Sequence, residues 1–265
     1  MNLSRISTTG RIVFSVAIIA LGVETILCSH SSVFLYPPRF RAIPILPFLP
    51  PIPALAVIFG IIFAALGVGL LIKRYSTAAA LTLGAILFIC TLALEVPKYA
   101  AVPHSMSLRT LVFEPLAMAA LAFLLPGPGA IPRMLDRTLD LAARLLLCLS
   151  FIVFGVDHFL ALRPIGTLVP HWIPWHVFWI ALFGAVFIAS GLSIGFNLLL
   201  RWGAFGAGLM FAVWVFTLHL PRVMGFSGGA PRSPDEWSSL FIAVALWGGS
   251  WALVNEPRSS FEKTN

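Results

Sequence analysis

Of 265 residues only 10% are charged and 59% are apolar, with a mean hydropathy of +0.98. That composition leaves too little polar surface to cover a soluble globule of this size and makes lipid the expected solvent. The formal net charge of +7 does not mark a nucleic-acid partner, because the basic residues stand singly between apolar runs rather than in one stripe.

A helix needs about 20 apolar residues to cross the hydrocarbon layer while satisfying its own backbone. The first such run covers residues 12–30 and follows Arg5 and Arg11. It has the outline of a signal peptide but no small-residue cleavage site, and Leu27 before Cys28 is too large for a lipoprotein site, so it reads as a retained helix. Runs at 54–72, 77–97 and 107–125 follow, then the P-G-P-G stretch and Arg133, Asp136, Arg137 and Asp140, which have the breaker and charge content of a surface connection. Four more runs occupy 141–161, 175–199, 202–220 and 237–254. The alternation of barrel strands is missing. The expected class is all-α: an integral membrane protein with eight transmembrane helices as two parallel four-helix repeats.

The repeat is visible in the residues. R-I-V-F-S-V-A-I-I-A-L-G-V-E from Arg11 to Glu24 matches R-L-L-L-C-L-S-F-I-V-F-G-V-D from Arg144 to Asp157 at a spacing of 133. Further on the spacing is 124, pairing Gly60 with Gly184, Gly67 with Gly191, Pro97 with Pro221 and Lys98 with Arg222. Four spans per copy is an even number, so both copies enter from the same side and form a parallel repeat. The expected domains are a divergent first repeat over 1–130, a cytoplasmic linker over 131–140 and a second repeat over 141–265. The Pro-rich segments ending at Pro53 and Pro174 recur less cleanly, and the glycines inside helices, Gly60, Gly67, Gly184, Gly191, Gly203, Gly206 and Gly208, fit close helix packing.

Alternate loops divide the cations. Arg5, Arg11, Lys73, Arg74, Arg133, Arg137, Arg144, Arg201, Arg258 and Lys263, ten in all, share the side of both termini; Arg39, Arg41, Lys98, Arg109, Arg163, Arg222 and Arg232, seven in all, lie opposite. The positive-inside rule then predicts a multi-pass protein of the cell (inner) membrane with both termini cytoplasmic. Cys28, Cys90 and Cys148 stand alone in apolar runs without a C-x-x-C pair and read as small buried hydrophobes.

The ionisable residues are less evenly spread. Glu24, Glu95, Glu114 and Asp157 all map to the non-cytoplasmic half, as do His30, His104, His158, His171, His176 and His219. A carboxylate at the bilayer centre costs about 2.5–3.5 kcal/mol, so such residues persist where they face a bundle interior, water or a partner. Asp157 and His158 in G-V-D-H-F, with His219 in T-L-H-L-P before a helix-ending Pro221, form the strongest candidate site. Neighbours on a helix point about 100° apart, so only one of Asp157 and His158 is expected to face it. The first copy has Glu24, Thr25 and Glu95 in the equivalent places. All eight tryptophans fall in the second copy, mostly near span ends as in an aromatic belt; mid-span Trp214 is the candidate to line a pocket below His219.

F-G-V-D-H-F, the V-P-H-W-I-P loop, I-A-L-F-G-A-V-F-I-A-S-G-L, R-W-G-A-F-G-A-G and H-L-P-R make the stretch from Arg144 to Val254 resemble the DoxX-like family of four-helix membrane proteins. The resemblance implies a four-helix unit, family-like polar sites at His158 and His219, and an association with membrane redox complexes, the family being named from subunits of a thiosulfate:quinone oxidoreductase. Glu24, Thr25 and Glu95 depart from that pattern. A dinucleotide fingerprint and C-x-x-C-H are absent, so nothing here supports oxidation or reduction by this chain alone. The expectation is a subunit that holds a quinone or similar apolar molecule for a redox partner protein, with haem disfavoured and no metal site. The competing expectations are a proton-linked small-solute transporter and a structural or assembly protein.

Overall fold

The computed structural model describes residues 2–28, 53–127, 129–167, 169–225 and 236–255. His30, Arg39, Arg41, Arg232, Arg258, Lys263 and the Pro-rich segment leading to Pro53 lie outside them. Among the described residues eight helices are long and apolar enough to cross a membrane. They are α1 (Leu3–Cys28), α2 (Pro53–Leu71), α3 (Ser76–Ala101), α4 (Met106–Leu124), α5 (Arg133–Leu160), α6 (His176–Gly195), α7 (Leu200–Val223) and α8 (Glu236–Asn255).

Two helices start earlier than their apolar runs. α1 begins at Leu3, where Asn2 Oδ1 accepts from Arg5 N at 3.3 Å and from Ser4 Oγ at 2.7 Å, so the polar first turn is capped. α5 begins at Arg133, inside the segment expected to be a linker. Pro132 precedes it, Asp136 sits in its first turn where a carboxylate suits the helix dipole, and Asp140 pairs with Arg144 one turn on. Charge ended the apolar run there without ending the helix.

Pro97 and Pro221 do not end their helices, contrary to the expectation for Pro221. In a regular α-helix each ring would clash with the carbonyl four residues back and leave it without a donor. Here the preceding turn is π-helical, over Thr91–Glu95 in α3 and Val215–His219 in α7. Val96 N donates to Thr91 O and Leu220 N to Val215 O, a wider step that makes room for the proline. The helices then run on to Ala101 and Val223.

The helices close a ring in chain order, each packed on the next, with α8 returning onto α1. α4 and α8 also touch each other and are the most buried of the eight, so they occupy the middle. The core between them is filled by Phe14, Phe63, Leu83, Met118, Leu121, Leu147 and Phe151. Without a hydrophobic drive between helices in lipid, small residues that let backbones approach supply the contact. A Cβ on Gly22 would stand 2.5 Å from Gly60 O, one on Gly155 2.7 Å from Gly184 O, and one on Gly248 2.8 Å from Gly10 O. The last contact joins α8 to α1. Gly248→Val is expected to cost about 1–3 kcal/mol by overpacking, read as a lower Tm in detergent; an unchanged Tm would contradict the close approach.

Candidate functional site

Of the acids expected at one end of the bundle, Asp157 and Glu24 meet partners on other helices and Glu95 one on its own. Asp157 on α5 is buried and takes the guanidinium of Arg109 on α4 through both oxygens, with Nε to Oδ2 at 3.1 Å. Arg222 on α7 grips Glu236 on α8, its Nε lying 2.9 Å from both Oε1 and Oε2, and both residues are buried. Ser238 Oγ of α8 donates to Glu24 Oε1 of α1 at 2.9 Å. Glu95 is buried on α3 and pairs with Lys98 of the same helix at 3.2 Å. Glu114 is half-buried on α4, beyond Arg109.

Asp157 and His158 diverge as their helical spacing requires. The carboxylate faces α4, whereas the buried imidazole faces α6 and α7. Trp179, Phe183 and Phe187 fall on one face of α6 at helical i, i+4 spacing. His158 packs on Phe187 with ring centroids 5.2 Å apart and on Trp214 at 5.1 Å; Trp214 also meets Phe183 at 5.7 Å and His219 at 6.4 Å. Trp179 stacks beside Phe183 at 6.2 Å. The sequence places the two histidines near each other, and in the fold the Trp214 indole contacts both.

Within this aromatic cluster three buried nitrogens, His158 Nε2, His219 Nδ1 and Trp179 Nε1, have no hydrogen-bond partner. Buried polar atoms are normally satisfied, so a group of orphans calls for an explanation. Their chemistry differs. His158 Nδ1 lies 2.7 Å from Phe154 O; a carbonyl only accepts, so Nδ1 carries the proton and Nε2 of the neutral ring is an acceptor. The indole of Trp179 can only donate. An aromatic head carrying both an accepting and a donating oxygen would satisfy both.

Among the described residues the first half shows no such cluster. Thr25 takes the place of His158 and bonds back to Leu21 O at 2.7 Å, as His158 does to Phe154 O. The aromatic-belt pattern does not single out Trp179, and counting loop cations does not reveal that Arg109 and Arg222 pair with buried acids. Trp172, Trp175, Trp202 and Trp237 are exposed near helix ends, whereas Trp179, Trp214, Trp247 and Trp251 pack inward. Among the described residues no disulfide forms, and Cys148 is buried and Cys28 and Cys90 half-buried. Among the described residues no group of three or more His, Cys, Asp or Glu side chains is placed to hold a metal ion.

Eight apolar helices whose acids are matched by internal partners at one end make this a multi-pass membrane protein in a lipid bilayer. Compared with family models, with curated proteins and with solved structures, the chain matches none.

Proposed function

We propose that the chain is a duplicated DoxX-like membrane subunit whose second four-helix repeat holds a quinone or a similar apolar ring for a redox partner protein. The observation that carries the ligand is the trio of orphaned nitrogens at His158, His219 and Trp179, enclosed by aromatic side chains. Largely apolar walls with a few convergent polar groups are the usual make-up of a small-molecule site. A quinone carbonyl suits the Trp179 donor, and a quinol hydroxyl suits the His158 acceptor.

Supporting the repeat, Gly22 meets Gly60 as Gly155 meets Gly184, and the two π-helical turns stand at positions 124 residues apart. Supporting cytoplasmic termini, ten cations stand on the terminal side against seven opposite.

Proton-linked transport is the second reading, favoured by the membrane acids and the irregular turns in α3 and α7. It ranks lower because Asp157, Glu95 and Glu236 are held by Arg109, Lys98 and Arg222. The deciding experiment is purification in mild detergent followed by lipid extraction and thermal unfolding with added quinone. Copurified quinone and a quinone-dependent rise in Tm are expected; the absence of both overturns the proposal.

A further inference from the structure

A second site lies at the opposite end of the bundle. α2 and α3 leave a groove of about 450 Å³ on the outer surface, lined by Ala65, Gly69, Ile72, Tyr75, Ala78 and Thr82 among others. That volume falls in the range of about 300–1,000 Å³ typical of small-molecule sites. The groove is apolar along its length and ends at the turn between the two helices, where Lys73 and Arg74 are exposed. The exposed Arg74 side chain lies over the adjacent tyrosine. Its guanidinium carbon stands 5.7 Å from the centre of the Tyr75 ring, which itself lines the groove, so a cation–π contact holds one positive charge at the mouth.

Nothing nearby neutralises that charge from the helices that form the groove. α2 carries no acidic residue, and none stands in the first turn of α3. An apolar furrow capped by two cations on the expected cytoplasmic side complements one occupant in particular: a phospholipid with an acyl chain along the furrow and an anionic phosphate headgroup at the turn. The corresponding turn of the second half differs. Asn197 and Leu198 stand where the first half has Lys73 and Arg74, and the next cation, Arg201, is already inside α7.

We propose that the α2–α3 groove is a specific binding site for an anionic phospholipid, formed by Lys73, Arg74 and Tyr75 over the apolar lining. The site is independent of the histidine cluster. Juxtamembrane cations attract anionic lipid by about 1 kcal/mol each, so the pair favours an anionic over a zwitterionic lipid by roughly tenfold or more.

The test uses the full chain in mild detergent with added phosphatidylglycerol or phosphatidylcholine of identical acyl chains, followed by native mass spectrometry and thermal unfolding. Phosphatidylglycerol is expected to bind roughly tenfold tighter and to raise Tm more than phosphatidylcholine. Lys73→Gln with Arg74→Gln should abolish that difference. Ala78→Phe, at an exposed lining position, should fill the furrow and weaken both lipids without lowering the Tm of the lipid-free protein. Equal binding of the two lipids by the unaltered protein overturns the proposal. So does a preference for phosphatidylglycerol that survives the double substitution, which would locate anionic lipid elsewhere.

Discussion

Asp157→Asn lowers the stability of the protein by about 3 kcal/mol, because it strands the Arg109 guanidinium against α5 with its charge unmatched. Arg109→Leu alone has a cost of the same order, since the buried carboxylate then loses its only cross-helix cation among the described contacts. Replacing both residues by leucine restores stability to near the starting value, as an apolar pair of similar volume is often neutral or better than a buried ion pair. The measurement is a double-substitution cycle on reversible unfolding in detergent. Additive losses would show that the two side chains do not act as a pair, and the tie between α4 and α5 would have to be sought elsewhere. The cycle also bears on transport, because a carboxylate whose charge can be removed with its arginine at no cost to flux is not a proton carrier.

Hydropathy made the eight helices legible because lipid imposes the same demand on every span, and the apolar runs answer it directly. The extra turns of α1 and α5 were hidden because capping by Asn2 and pairing of Asp140 with Arg144 stabilise polar helix that a hydropathy window rejects. Continuation through Pro97 and Pro221 was hidden because a proline's local rule assumes an α-helical turn before it, whereas the π-helical turns change which carbonyl the ring meets. At the site, residue type picked out Asp157, His158, His219 and Trp214. It could not pick out their partners: Arg109 reaches Asp157 across 48 residues and Ser238 reaches Glu24 across 214. Such pairings are set by which helices the ring closes together, and the α8 to α1 closure has no local signature beyond Gly10 and Gly248.

His158→Phe separates a ligand site from a packing residue. A phenyl ring keeps the contacts with Phe187 and Trp214 and removes Nε2, a buried nitrogen with no partner. It also gives up the Nδ1 bond to Phe154 O, which is worth about 1 kcal/mol. Removing an unsatisfied buried acceptor recovers a desolvation cost of about 1–3 kcal/mol, so the ligand-free variant is expected to be at least as stable as the unaltered protein. The ligand-bound state behaves oppositely. If a quinol hydroxyl donates to Nε2, its loss weakens quinol binding by about tenfold or more, and the quinol-dependent rise in Tm shrinks accordingly. A stable variant with a blunted ligand response is the signature of a binding residue. A variant that loses stability while keeping the full response would place His158 among the packing residues of α5 and leave the orphaned nitrogens of His219 and Trp179 without a common ligand.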